Sequence, residues 1–123
     1  MMFHEKCSCK GDNLDKFVQT IILKVLYECD TYGYAILKKI SESSMMKGAK
    51  PDPTGIYRQL KNMEEKGLLV SKKQISDKGN LAKYYSITED GKQCLLNWVS
   101  TLKDYRDSID LFILEIEKII DKT

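Results

Sequence analysis

Apolar residues recur along this chain first at helical spacing, then at strand spacing, then at helical spacing again. After a polar leader, Leu14, Phe17, Val18, Ile21, Ile22, Val25 and Leu26 follow the i, i+3, i+4, i+7 rhythm of a core-facing helix. Asp12 or Asn13 can cap its start. The stretch from Cys29 to Gly33 has turn chemistry, and a second helix, about Tyr34 to Met45, buries Ile36, Leu37 and Ile40. Two prolines and a glycine make Lys47 to Pro53 a loop. A third helix, Thr54 to Lys66, turns Ile56, Leu60 and Met63 inward and stops at Gly67. Leu68–Ile75 and Ala82–Ile87 predict two strands joined by the polar turn Ser76–Asn80. Thr88, with Glu89 and Asp90 behind it, caps a final helix running to about Asp121.

Helix, helix, helix, strand, strand, long helix is the part list of a winged helix-turn-helix. The expected class is therefore mainly α (α+β), with a two-stranded wing and a long C-terminal dimerisation helix. Residues 1–12 form a Cys-containing leader expected to be flexible, 13–88 the DNA-binding domain and 89–123 the final helix.

That last helix carries Leu95, Trp98, Leu102, Tyr105, Ile109, Phe112, Ile116 and Ile119, alternating three and four apart over more than three heptads. This is the seam of a coiled coil. A rod of about 50 Å is too long for so small a domain to cover. The further apolar positions Leu96, Val99, Leu111, Ile113 and Ile120 leave packing on its own domain incomplete, so a second copy of the chain is the expected partner, with helix 1 a contact for it.

Composition narrows the class. At 123 residues, 42% hydrophobic and 31% charged, the chain suits one domain. No apolar run approaches membrane-spanning length and the N-terminus lacks a signal-peptide stretch, so no membrane partner is expected. A cytoplasmic location with four reduced cysteines follows as an expectation. The net charge of +2 conceals a pattern: the stretch from Lys47 to Lys92 holds ten Lys/Arg against six acids, whereas residues 93–123 hold four against six. A basic middle fits an anionic partner.

The third helix explains how such a partner is met. An α-helix fits the DNA major groove, with one face on the bases and the other on the core. The outward residues are Thr54, Tyr57, Arg58, Lys61 and Asn62. Arg58 suits a guanine edge and Asn62 an adenine edge, while Thr54 and Tyr57 suit phosphate oxygens. The hairpin adds Lys72, Lys73, Lys78, Asn80 and Lys83 as a cationic wing. The alternative is that these are solvated lysines protecting an edge hairpin from aggregation.

Four segments carry a family resemblance: Tyr32-Gly33-Tyr34-Ala35-Ile36, Thr54-Gly55-Ile56-Tyr57-Arg58-Gln59-Leu60, Met63-Glu64-Glu65-Lys66-Gly67-Leu68-Leu69, and Lys83-Tyr84-Tyr85-Ser86-Ile87-Thr88-Glu89-Asp90-Gly91. In that order, across about half the chain, they resemble the PadR family of transcriptional regulators. The resemblance implies a homodimeric repressor of a promoter near its own gene, and the two-fold pairing expected of the final helix predicts a palindromic operator in double-stranded DNA. The resemblance also implies DNA contact around Tyr57 and a wing seated by Lys83 and Tyr84, although Tyr84 is equally placed to be core.

Some short members of that family bind planar hydrophobic effectors between paired last helices, stacking them on a tryptophan. The resemblance points to Trp98 for this role, and by alignment to Leu102 one turn later. The alternative for Trp98 is a core residue.

A rival sensor is the His4, Cys7 and Cys9 group, whose Cys-x-Cys can give two thiolates to zinc or another soft metal. Cys29 or Cys94 would have to complete it, and both fit equally well as reduced core cysteines. No cofactor is otherwise expected. One histidine, no Gly-rich phosphate loop and no nucleophile–base pattern argue against an enzyme. The remaining alternative is a winged-helix protein-interaction module that does not bind DNA.

Overall fold

The computed structural model describes residues 17–46 and 50–122. Helix α1 (Val18–Glu28) lies at the centre, packed against every other helix and against strand β3 (Leu81–Ile87). Of its predicted stripe Val18, Ile21, Ile22, Val25 and Leu26 are buried and Phe17 is half-buried, but Thr20 and Leu23 are buried too, because the other elements enclose the helix from several sides. Leu14 and the proposed caps Asp12 and Asn13 fall outside the described residues.

The sheet has three strands, not the two expected. Thr31–Tyr32 forms a short strand, β1, pairing antiparallel with Tyr85 and Tyr84 of β3, whose other edge carries β2 (Leu69–Ile75). A two-residue strand has no periodicity of its own; the free edge of β3 creates it. Helix α2 (Gly33–Ser41) ends four residues before the predicted limit. The amide of Ser43 donates to Ile40 and that of Met46 to Ser43, folding the chain into turns that return Met46 to the core. Ser43 and Ser44 favour such turns over continued helix.

Helix α3 (Pro53–Glu65) is set by local chemistry at both ends. Asp52 accepts the Gly55 amide at 3.2 Å, with Pro53 at the first helical position. At the other end Gly67 is left-handed (φ +78°), the Leu68 amide reaches the Met63 carbonyl and the Gly67 amide that of Glu64. This Schellman pattern turns the chain straight into β2. The β2–β3 register runs from Leu69 opposite Ile87 to Ile75 opposite Leu81. A turn closed by Ser76 N–H on the Asn80 carbonyl at 2.8 Å, with Gly79 left-handed, joins the strands.

Thr88 caps helix α4 (Glu89–Asp121) by accepting the Gly91 amide, while its hydroxyl donates to the Gly67 carbonyl at 2.7 Å. The start of α4 is thereby pinned to the end of α3. The main core unites Ile22, Leu23, Leu26, Ile36, Ile40, Leu60, Met63 and Leu69, with Cys94, Leu95 and Trp98 of α4 packed against it. Beyond Leu102 every residue of α4 is exposed. Among the described residues no helix is long and apolar enough to cross a membrane.

Candidate nucleic-acid interface

Burial separates the faces of α3. Ile56, Leu60 and Met63 are buried, whereas Thr54, Tyr57, Arg58 and Lys61 are exposed on the opposite side. Asn62, predicted to be outward, is half-buried. Tyr57 is held in place by what it rests on: a Cβ at Gly33, the first residue of α2, would lie 2.6 Å from Tyr57 Cε1. Glycine there lets the ring approach the start of α2, so the Tyr57 hydroxyl is delivered beside uncapped helix amides.

The wing lysines do not form one set. Lys73 and Lys83 are direct cross-strand partners, so their side chains share a face, the one carrying Tyr85 and Ser71. Two like charges opposite each other repel, and Glu64 of α3 relieves this: its carboxylate lies 3.5 Å from Lys83 Nζ and accepts the Ser71 hydroxyl at 2.8 Å. Lys72 points to the other face with Tyr84 and Gln74, its ammonium 6.0 Å from the Tyr84 ring centroid. Asn80 and Lys78 sit at the exposed tip. Strand alternation, which a count of lysines ignores, makes this division.

Tyr84, half-buried, packs edge-on to Tyr32 at 4.9 Å, and Tyr32 stacks on Tyr34 at 5.6 Å. Tyr34 then holds the wing tip. Its hydroxyl donates to Asp77 at 2.6 Å and the Lys78 ammonium lies 4.2 Å from its ring. The hydrogen bond to Asp77, with burial second, pushes the Tyr34 pKa up to about 12. The Tyr32 hydroxyl adds a bond to the Ile75 carbonyl and accepts from Gln74. Gly33, Tyr34 and Glu64, which position this face, were absent from the predicted site. The chain signal for Gly33 and Tyr34 is the Tyr-Gly-Tyr run itself; nothing local marks Glu64.

Along α4 the predicted seam divides. Leu95, Trp98 and Leu102 are half-buried within the chain, and Phe17 meets the rings of Trp98 and Tyr105 edge-on at 6.4 and 6.3 Å. Tyr105, Ile109, Phe112, Ile116 and Ile119 remain between 41% and 67% exposed. His4, Cys7 and Cys9 fall outside the described residues. Cys29 is exposed and Cys94 half-buried, and among the described residues no group of three His, Cys, Asp or Glu could hold a metal.

Comparison with known proteins places this geometry in context. Residues 22–97 match the family described as the transcriptional regulator PadR-like family. A Thermoplasma acidophilum protein assigned as a transcriptional regulator shares the fold at a TM-score of 0.69 and 31% identity, over 79% of this chain and 90% of its own. A PadR family transcription regulator of Clostridium difficile matches at 0.69 and 28%, over 79% and 98%. Bacillus subtilis PadR, solved in complex with operator DNA, matches at 0.57 and 25%, over 66% of this chain and 44% of its own.

Proposed function

The chain belongs to the PadR-like family of transcriptional regulators, and we propose that it acts as a homodimeric repressor that binds a palindromic operator through α3 and the β2–β3 wing. The observation that carries this is the exposed Thr54–Tyr57–Arg58–Lys61 face of α3, with the Lys73–Lys83 pair beside it. The operator complex of the Bacillus subtilis relative supports the same use of the fold here. Regulators of this family are not enzymes.

In this reading Arg58 reads a base edge, with Asn62 contributing from the rim of the face. Thr54, Tyr57, Lys61, Lys72, Lys73, Lys78, Asn80, Lys83 and Tyr84 hold or seat the backbone. A second copy covers the exposed seam of α4, from Tyr105 to Ile119, because an apolar stripe of that length does not remain in water. Two-fold pairing sets the two α3 helices about one DNA turn, roughly 34 Å, apart. Trp98 and Leu102 stand at the root of the seam, where a planar hydrophobic effector would couple to pairing.

Fluorescence anisotropy on DNA from upstream of the chain's own gene, against a scrambled duplex across a salt series, tests the proposal. Tight binding to the native duplex with a steep loss on adding salt is expected. Equal, weak binding to both would favour the interaction-module reading. Repeating the titration with zinc and with a flat aromatic dye distinguishes the effectors.

A further inference from the structure

Three consecutive residues touch both α3 and the wing. Gly33 lies under the Tyr57 ring of α3, while Tyr32 and Tyr34 on either side of it reach the far end of the β2–β3 hairpin. That end has little else to hold it. Strand β1 pairs only with Tyr84 and Tyr85, so residues 81–83 have β2 as their one strand neighbour. Ile75 and Leu81, the last cross-strand pair, are 66% and 63% exposed, so burial does little to anchor the tip. A two-stranded ribbon left to itself is marginal in water and free to twist.

Polar and aromatic contacts supply the hold instead. The Tyr32 hydroxyl donates to the Ile75 carbonyl at 3.3 Å and accepts from Gln74 at 2.8 Å. The Tyr34 hydroxyl donates to Asp77 at 2.6 Å, and the Lys78 ammonium lies 4.2 Å from the Tyr34 ring centroid. The two rings stack on each other with only 5° between their planes, which restrains both. Singly such exposed contacts are weak. Here they converge on one pair of rings.

Asp77 is the second observation. From residue 67 to residue 88 it is the only acid, set among Lys72, Lys73, Lys78 and Lys83. A carboxylate in a loop offered to a polyanion repels it, and asparagine would serve the turn as well. A role within the protein explains it. We propose that Tyr34 and Asp77 form a clasp that fixes the wing tip relative to α3, making Tyr34 a positioning residue for DNA binding. It acts through the wing and not by touching DNA. With Tyr57 resting on Gly33 and Tyr34 next in the chain, recognition helix and wing tip share one frame. A tip released from it must be ordered on binding, which lowers affinity without changing the number of phosphates met. This rests on the operator-binding reading above.

The test uses the full chain and a duplex it selects from a random-sequence pool. Tyr34→Phe keeps the ring and removes the donor; it should weaken binding roughly three- to fivefold. The slope of affinity against salt should not change, since no lysine is lost. Asp77→Asn and Asp77→Ala both remove the charge, but only asparagine still accepts the hydroxyl. The Tyr34→Phe loss should therefore persist in the Asp77→Asn background and vanish in the Asp77→Ala background. In the free protein, 15N relaxation should show the Gly79 and Asn80 amides more mobile in Tyr34→Phe and Asp77→Ala, and as ordered as in the wild type in Asp77→Asn. Both side chains meet at the surface, so all these variants should fold.

A Tyr34→Phe affinity equal to the wild type overturns the positioning role. So does a loss that persists in the Asp77→Ala background, which would mean that the hydroxyl meets DNA itself. A tip equally ordered in every variant removes the clasp. If the wild type selects no duplex, the operator reading fails and the positioning role falls with it, while relaxation of the free protein still decides whether the clasp holds the tip.

Discussion

The ring of Tyr57 rests on Gly33, close enough that a Cβ there would stand 2.6 Å from its Cε1. The contact ties the exposed face of α3 to the first residue of α2. Gly33→Ala must displace the ring, and an exposed ring can swing away. The expected stability loss is therefore modest, about 1 kcal/mol by thermal unfolding. DNA affinity should fall more, roughly tenfold, because the hydroxyl leaves its place. Equal affinity for the two proteins would show that Tyr57 is not held for DNA.

Gly91 offers the contrasting case. A Cβ there would strike the Leu68 carbonyl oxygen and lie 2.6 Å from Ile87 Cγ1. Backbone cannot swing aside, so Gly91→Ala should destabilise the fold by about 1–3 kcal/mol through overpacking. Urea denaturation measures this. DNA affinity of the protein that remains folded should hardly change, the reverse of the Gly33 result.

The exposed seam of α4 predicts an assembly effect without a folding effect. Ile109→Asp and Phe112→Asp alter side chains already 55% and 61% exposed in the single chain. Monomer stability should move by no more than about 0.5 kcal/mol. Sedimentation equilibrium should show the double variant as a monomer, with operator affinity down roughly a hundredfold once the half-sites are read singly. A variant that still sediments as a dimer would place the interface elsewhere.

Two tyrosines set an alkaline limit. Tyr34 is raised to about 12 by its bond to Asp77, and Tyr85 to about 12 mainly by burial, from an ordinary 10.0. The folded chain thus holds these protons more tightly than the unfolded one. The resulting stability is full below about pH 10 and is lost as pH rises from there toward 12. Tm followed between pH 9 and 11.5 should fall with pH, and Tyr34→Phe and Tyr85→Phe should each flatten the fall. An unchanged slope in both variants would mean that these phenols ionise as in the unfolded chain.

Periodicity by itself determined the helices, the hairpin and the inward set Ile56, Leu60 and Met63, because side-chain direction repeats every 3.6 residues in a helix and every two in a strand. The stop at Gly67 and the cap at Thr88 were equally local, since their hydrogen bonds close within a few residues. Other features depend on distant chain. Strand β1 exists only because β3 has a free edge, and α1 is buried beyond its stripe only because four elements surround it. The Lys83–Tyr84–Tyr85 run shows the boundary. Alternation says that neighbouring residues face opposite ways, but which tyrosine enters the core is a matter of what packs against each face. Tertiary structure chose Tyr85, placed Lys83 beside Glu64 and brought Tyr57 onto Gly33. Each of these joins residues far apart in the chain, and only the packing of α2, α3 and the sheet around α1 sets their distance.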